Sequence, residues 1–187
     1  NLDVDGCKIL AILKDGQPVQ QLLVGEQGAI ILDRTPFYAE SGGQIGDSGV
    51  LCSSSGQQFL VSDTQKLSVN LFGHIGEALS GNFSVGDKLS ARVDSKRRQA
   101  TVINHSATHL LHAALRKVLG EHVSQKGSLV NTERTRFDFS HFQAISADQL
   151  SEIEALVNNA IRANAEAEVH HMGMQEAIEF GAMALFG

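Results

Sequence analysis

The sequence predicts an α+β protein in which a small N-terminal β-barrel is followed by an α/β two-layer domain. Residues 1–93 contain short apolar runs that alternate with turn residues, which is typical of a small closed or partly open barrel. At Asp94 the apolar spacing changes from that of strands to that of a long helix. Helical and extended patterns then mix to the end of the chain. We therefore expect two domains, residues 1–93 and residues 94–187.

The strands of the first domain are predicted from β-branched apolar runs bounded by glycine and other turn residues. Asp15-Gly16 is a strong signal for a two-residue hairpin turn, because both positions tolerate positive φ. Pro18 stands before the next run, where its missing N–H disturbs a strand least. The candidate strands are residues 7–13, 19–24, 29–32, 49–52, 59–61, 68–72 and 88–93.

The second domain is predicted to open with a long amphipathic helix capped by Asp94 or Ser95 and ended by Gly120. Its apolar stripe consists of Ala100, Ile103, Ala107, Leu110, Leu111, Ala114 and Val118. Strands are expected at residues 128–130 and 135–140. Ser146 and Gln149 form a capping-box pattern that opens a second helix through Ile161. An extended segment at 168–174 and a short helix at 175–185 complete the prediction.

Composition limits the classes of function. The net charge is −6, so any contact with nucleic acid must come from a local basic patch. The two cysteines, Cys7 and Cys52, form no C-x-x-C pair, which argues against a disulfide scaffold and a cysteine zinc knuckle. No apolar run has the length of a membrane span and no signal peptide opens the sequence. We expect a cytoplasmic protein without a membrane partner.

The long helix contains His105-Ser106-Ala107-Thr108-His109, an H-x-x-x-H pattern. Residues four apart on a helix have Cβ atoms about 5–6 Å apart, so two imidazoles there could bind one zinc ion. The residue after His105 is Ser106, so the general base of an H-E-x-x-H protease is missing. Two surface or structural histidines would give the same pattern. A tetrahedral site also needs two further ligands, for which His112, His141, His170 and His171 are available in principle.

A second notable run extends from Thr35 to Asp47 and contains Gly42-Gly43-Gln44. Its glycines indicate a sharp turn or a close approach of the backbone to another group. Gly-Gly-Gln also occurs in peptide-release factors, but here it is flanked by Glu40 and Asp47 rather than by basic residues, which argues against that function. A structural turn in a barrel loop remains the alternative.

Together, the two motifs closely resemble the alanyl-tRNA synthetase family. The run Thr-Pro-Phe-Tyr-Ala-Glu-Ser-Gly-Gly-Gln-Ile-Gly-Asp is followed some sixty residues later by Asn-His-Ser-Ala-Thr-His-Leu-Leu-His, which begins at Asn104. Gln-Lys-Gly-Ser from Gln125, Arg-Phe-Asp-Phe-Ser-His from Arg136 and Gly-Ala-Met-Ala-Leu-Phe-Gly from Gly181 extend the resemblance over nearly the whole chain.

The resemblance implies an editing region that removes serine or glycine wrongly attached to tRNA(Ala). In the family, zinc is held by H-x-x-x-H, here His105 and His109, together with a Cys and a His from a later C-x-x-x-H motif. That second motif does not occur in this sequence, so we expect a half-built metal site, with weak or absent zinc and impaired hydrolysis. ATP and Mg²⁺ would serve only the aminoacylation domain of the remaining synthetase chain.

The resemblance also associates Thr108 and Gln125 with editing. A synthetic site separates amino acids of nearly equal size by only a few kcal/mol, so a second sieve is useful. A polar group aimed at the serine hydroxyl would be left unpaired by alanine, at a cost of roughly 1–3 kcal/mol. Thr108, next to His109, could make this contact. Whether zinc activates water or positions the aminoacyl group stays open.

RNA contact is expected from local cations. Lys96, Arg97 and Arg98 crowd the start of the helix, where they oppose its dipole, and a phosphate partner would explain them. A solvated helix end would explain them as well. Lys126 and Arg136 are also assigned to RNA binding, and Arg116, Lys117 and Arg134 are further local cations that could contribute.

Two alternatives remain at the level of sequence. The chain could be a non-catalytic tRNA-binding module with structural histidines. It could be a stand-alone trans-editing deacylase, although such a protein would begin with Met and carry its own Cys ligand. Threonyl-tRNA synthetase editing domains share the histidine spacing, but we do not expect the Pro-Phe-Tyr-Ala-Glu-Ser-Gly-Gly-Gln run in them.

Overall fold

The first 93 residues fold into nine strands. The structure, a computed structural model, describes residues 1–166 and 170–181. The strands are β1 (Asp3–Lys14), β2 (Gln17–Val19), β3 (Gln21–Leu22), β4 (Gln27–Leu32), β5 (Gly49–Ser53), β6 (Gln58–Ser68), β7 (Leu71–Ser80), β8 (Phe83–Ser84) and β9 (Lys88–Val93).

Six of these strands close into an antiparallel barrel. Neighbours follow the order β1-β4-β7-β6-β5-β9, and β9 pairs back onto β1. β2 extends the sheet beside β1, and β3 pairs with β8. Closure leaves the six barrel strands without an unpaired edge. The predicted small β-barrel is therefore confirmed.

The interior of the barrel is filled by side chains that alternate along the strands. In β1, Cys7 and Ile9 are fully buried while Lys8 and Leu10 are exposed, as expected for a strand with one buried face. Phe59 and Phe83 meet edge to face with ring centroids 5.9 Å apart, a preferred aromatic geometry. The core needs no disulfide, and both cysteines are free thiols.

The Asp15-Gly16 turn is confirmed. Both residues have positive φ, 52° and 75°, and Lys14 pairs with Gln17 across the turn. Positive φ at both central positions defines the type I′ turn, whose twist matches that of the flanking strands.

The strand predicted at residues 68–72 is wrong. β6 ends at Ser68 and β7 begins at Leu71, so this segment contains the turn of a long hairpin, with Val69 77% exposed. The sequence concealed β7 because two glycines interrupt its apolar pattern. One of them, Gly76, lies so close to Leu60 O that a Cβ there would be 1.8 Å away. Such close approach of neighbouring backbones is a common reason for glycine within a strand.

After the barrel, the described residues form three helices and a hairpin. These elements are α1 (Ser95–Leu119), β10 (Gln125–Val130), β11 (Thr135–Phe139), α2 (Ala147–Ala163) and α3 (Met174–Glu179). Among the described helices, none combines the length and the apolar character needed to cross a membrane.

α2 begins with the predicted capping box. The Ser146 hydroxyl accepts a hydrogen bond from Gln149 N at 3.2 Å, and Gln149 Oε1 accepts one from Ser146 N at 3.0 Å. Residues 170–173 belong to no helix or strand, and Gly173 has an extended backbone, with φ −68° and ψ 158°. The short final helix is present as α3, and residues 182–185 of that prediction lie outside the described residues, as do residues 168 and 169.

The predicted apolar stripe of α1 is partly wrong. Ile103 is 58% exposed, whereas Thr101, Thr108 and His112 are at most 7% exposed. These three polar positions are separated by seven and four residues, which is also a helical spacing. The buried face of α1 therefore includes polar residues that the predicted apolar stripe left out.

Spatial contacts divide the chain into two compact units. The first comprises residues 1–105 and 129–135, and the second comprises 106–128 and 136–187. This division differs from the predicted boundary at residue 93, which marks the change from strands to helix along the chain. The second unit has its own small core of Ala114, Leu115, Val123 and Ile153.

Candidate functional site

The helix that carries the H-x-x-x-H pattern begins with a side-chain cap. Asp94 Oδ1 accepts hydrogen bonds from the backbone N–H groups of Lys96 and Arg97, both at 3.0 Å. Asp94, rather than Ser95, is therefore the N-cap, and its charge offsets the cations in the first turn. The helix continues without interruption to Leu119, so His105 and His109 lie one turn apart on it. His105 is half-buried and His109 is exposed.

The Gly-Gly-Gln segment of the first unit is a two-residue turn. Ser41 and Gln44 form a pair of backbone hydrogen bonds at 3.2 and 3.0 Å, and Gly42 and Gly43 have φ of 58° and 84°. Positive φ at both central positions of a turn explains why both are glycine. The next backbone groups bond to Val130, since Val130 N donates to Gly43 O at 2.7 Å and Ile45 N donates to Val130 O at 3.1 Å.

This turn brings Gln44 to the first histidine of the helix. Gln44 Oε1 lies 2.7 Å from His105 Nδ1, although the two residues are 61 positions apart in the chain. An amide oxygen only accepts hydrogen bonds, so Nδ1 carries the proton and donates it. In a neutral ring the lone pair would then be on Nε2. Gln44 itself is only 7% exposed, so this contact lies within the folded unit.

An ion pair joins the same loop to the first turn of α1. Arg98 Nε donates to both carboxylate oxygens of Asp47, at 2.8 and 3.0 Å, and Arg98 Nη2 contacts Asp47 Oδ2 and donates to Pro36 O. The hydrogen bonds that Arg98 donates to the Asp47 carboxylate raise the pKa of its guanidinium above the ordinary value. The Asp47 side chain is 6% exposed and that of Arg98 is 23% exposed. Arg98 therefore has a structural partner in addition to its predicted contact with RNA.

The other predicted editing residues lie in the second unit. Thr108 is buried in α1, at 7% exposure. Gln125, at the start of β10, is half-buried and donates from Nε2 to Ser128 Oγ at 3.1 Å. Nearby along the helix, His112 is 4% exposed and packs against Phe137 with ring centroids 4.9 Å apart. Burial lowers the pKa of His112, which keeps its ring neutral near pH 7.

The remaining predicted RNA-contact residues are accessible. Lys96, Arg97, Lys126 and Arg136 are exposed, and Arg136 forms an exposed ion pair with Asp138 at 3.1 Å. Arg97 also lines a groove of the first unit together with Arg92 and Asp94. A second arginine in this groove was not identified from the sequence, because Arg92 lies in β9 and the two meet only in the folded barrel.

The side chains near the two histidines were compared with the needs of the expected zinc site. Within residues 1–166 and 170–181, no cluster of three or more His, Cys, Asp or Glu side chains could hold a metal ion. His105 and His109 supply two imidazoles from one helix, and Nδ1 of His105 is engaged by Gln44. A metal-binding histidine usually donates its other ring nitrogen to an oxygen, and the Gln44 contact is compatible with that arrangement. Two imidazoles are compatible with zinc but do not complete a tetrahedral coordination.

Two contacts of the site could not be predicted from the sequence. The Gln44–His105 hydrogen bond and the Asp47–Arg98 ion pair each join residues more than fifty positions apart. The spacing of the glycines did indicate a turn. No local sequence pattern predicts which distant residue the Gln44 side chain will contact.

Comparison with known proteins identifies relatives over the whole chain. A family model described as tRNA synthetases class II (A) matches residues 3–97. An alanine–tRNA ligase from Stenotrophomonas maltophilia (strain K279a) is 60% identical over 186 residues, covering 100% of this chain and 21% of that protein. An alanine–tRNA ligase from Xanthomonas euvesicatoria pv. vesicatoria (strain 85-10) is 56% identical over 185 residues, covering 99% of this chain and 21% of the relative. The chain spans about a fifth of the length of the curated relatives it matches.

Proposed function

This chain belongs to the alanyl-tRNA synthetases, a family of class II tRNA synthetases, and we propose that it hydrolyses the ester of tRNA(Ala) wrongly charged with serine or glycine. The remainder of the synthetase chain would attach alanine to tRNA(Ala) with ATP and Mg²⁺. The proposal places the protein in the cytoplasm, with tRNA(Ala) as its partner.

One observation carries the proposal. The Gly-Gly-Gln turn and the H-x-x-x-H helix, the two motifs on which the family resemblance rests, meet in the 2.7 Å contact of Gln44 with His105. A turn that only connects parts of the barrel does not require a contact between the buried Gln44 amide oxygen and the His105 ring. The contact instead favours a chemical role for His105, because it selects the ring nitrogen that holds the lone pair.

In this proposal His105 and His109 hold zinc together with two ligands from the rest of the synthetase. The ion would polarise the ester carbonyl, activate water or position the aminoacyl group. Thr108 would accept or donate a hydrogen bond to the serine hydroxyl. Thr108 is buried, so this contact would be made away from bulk water, where hydrogen bonds discriminate most strongly. Gln125 would help to orient the substrate from the start of β10.

Contact with tRNA is assigned to the exposed cations. Lys96, Arg97, Lys126 and Arg136 can approach phosphates, and their local placement offsets the net charge of −6. Arg98 is also retained in this set, although its guanidinium is bound to Asp47 and its main contribution is expected to be structural.

The test uses the full-length synthetase, measured for bound zinc and for hydrolysis of Ser-tRNA(Ala). His105→Ala and His109→Ala should each abolish hydrolysis and reduce zinc binding, because each removes one ligand of the proposed site. His122→Ala is the matched control, since this exposed histidine contacts His141 and Phe142 instead. It should retain both properties.

Full hydrolysis in both of the first variants would refute zinc-dependent editing by this segment. The alternative of a non-catalytic tRNA-binding module is favoured by one observation, the lack of a third potential ligand beside these histidines within the described residues. In that case the histidine variants would bind tRNA(Ala) normally, and hydrolysis by the intact enzyme would not depend on them.

A further inference from the structure

We propose that Gln44 is a positioning residue that holds His105 in the tautomer needed to bind metal. This inference rests on the proposed function, because it assigns a purpose to a contact of the proposed ligand. It goes further in giving the glycine-rich turn a defined task. Gln44 would act only through His105 and would touch neither the metal nor the substrate.

The chemistry of the contact fixes the state of the ring. The Gln44 amide oxygen can accept the Nδ1 proton of His105 at 2.7 Å, but it has no proton to give in return. A neutral imidazole has one protonated nitrogen, so the lone pair is on Nε2. The hydrogen bond at one ring nitrogen thus decides which nitrogen binds a metal.

Backbone hydrogen bonds hold Gln44 on both sides. Its backbone closes the Gly42-Gly43 turn on one side and follows the strand-like contacts of Val130 on the other. Val130 is 2% exposed, so that anchor is itself buried. A side chain held in this way loses little conformational freedom when His105 binds a ligand, which is the requirement for a preorganised site.

Helix α1 is hydrogen-bonded to the same segment of the chain that holds Gln44. Asn104, the residue before His105, donates from Nδ2 to Asn131 O at 2.8 Å. Asn131 directly follows Val130 in the chain. Residues 130 and 131 therefore anchor both the turn that presents Gln44 and the helix that presents His105, which places the two side chains within hydrogen-bond distance.

The consequence is a measurable dependence of metal affinity on Gln44. Loss of the oxygen that orients a metal-binding histidine typically weakens metal binding by about 10–100-fold. Replacement by Gln44→Met keeps the length of the side chain and removes the acceptor. Gln44→Asn keeps the amide but shortens its reach by one methylene. Gln44→Glu keeps an acceptor at the same length and adds a negative charge that favours a protonated Nδ1.

The experiment combines two measurements. In the full-length synthetase, zinc affinity is measured by competition with a chromophoric chelator. In the 187-residue chain without metal, ¹⁵N chemical shifts of the imidazole report which nitrogen of His105 is protonated. We expect Nδ1–H in the wild type and in Gln44→Glu. We expect a shift towards Nε2–H in Gln44→Met and Gln44→Asn, with a 10–100-fold loss of zinc affinity in these two variants only.

Tyr38→Phe is the matched control. The Tyr38 hydroxyl donates to Ser41 O at 3.1 Å, so this variant loosens the same turn without removing the acceptor of His105. It should change zinc affinity less than twofold. An equal loss in Tyr38→Phe and Gln44→Met would mean that general loosening of the loop is responsible, and the proposal would be overturned.

The outcomes separate the two proposals. If Gln44→Met binds zinc within twofold of the wild type while His105→Ala loses zinc, the positioning role is wrong and the editing proposal stands. The positioning role is equally wrong if the wild-type ring is protonated on Nε2. If the tautomer follows Gln44 as expected but His105→Ala retains zinc and hydrolysis, the orientation of the ring is established and the proposed metal site fails.

Discussion

Removal of the Asp47 carboxylate should destabilise the barrel unit by about 3 kcal/mol, a value that follows from burial. Loss of one partner of a buried ion pair costs about 3–5 kcal/mol, whereas a solvent-exposed pair contributes about 0.2–1 kcal/mol. Asp47 is almost fully buried, but the Arg98 side chain is 23% exposed, so the lower end of the first range applies. Asp47→Ala also leaves Tyr38 N–H without its acceptor at 2.7 Å.

The measurement is urea unfolding followed by pulsed hydrogen exchange on peptides of the barrel, so that the first unit is observed by itself. A double-mutant cycle adds Arg98→Met, which keeps the aliphatic stem and removes the charge. Because the two groups bond to each other, the double variant should lose about 1–2 kcal/mol less than the sum of the single variants. Asp138→Asn is the control, since it interrupts the exposed pair with Arg136 and should shift stability by less than about 0.5 kcal/mol.

Two results would refute this reasoning. A loss of under about 1 kcal/mol in Asp47→Ala would place the pair in the range of surface ion pairs. Strict additivity in the cycle would mean that the two side chains do not stabilise each other, whatever their geometry.

Two further predictions concern the barrel. Gly46→Ala should destabilise it by about 3 kcal/mol or more, because the new Cβ would lie 2.2 Å from Thr64 O. Gly173→Ala is the control and should be nearly neutral, because no atom lies within 4 Å of the added Cβ. The urea midpoints of the two variants measure the difference, and equal midpoints would contradict the prediction. His74 is fully buried between Thr35 Oγ1 and Ile30 O, and burial lowers its pKa below the ordinary value of about 6.5. Its neutral form therefore stabilises the fold fully above about pH 6.5, and this contribution falls as the pH drops towards the folded-state pKa. Urea midpoints should decrease between pH 7.5 and 5.0, and the decrease should be smaller in His74→Gln; an identical pH profile in that variant would contradict the assignment.

Much of the fold could be predicted because its signals are local. The Asp15-Gly16 turn follows from the tolerance of these residues for positive φ, and the cap at Ser146 follows from its spacing to Gln149. β7 was not predicted, because its glycines are explained by the close approach of a neighbouring strand and not by the pattern of their own segment. Ile103 was wrongly predicted to be buried, because an apolar pattern along a helix does not determine which face packs against the rest of the protein.

The sequence by itself determined the elements of the candidate site. A helix repeats every 3.6 residues, so His105 and His109 must lie one turn apart, and two adjacent glycines with positive φ allow the tight turn before Gln44. The tertiary structure alone decided that these elements meet. Closure of the barrel and the bonds to Val130 bring Gln44 to a ring 61 residues away, and a contact at that separation depends on packing of the whole unit rather than on any local preference.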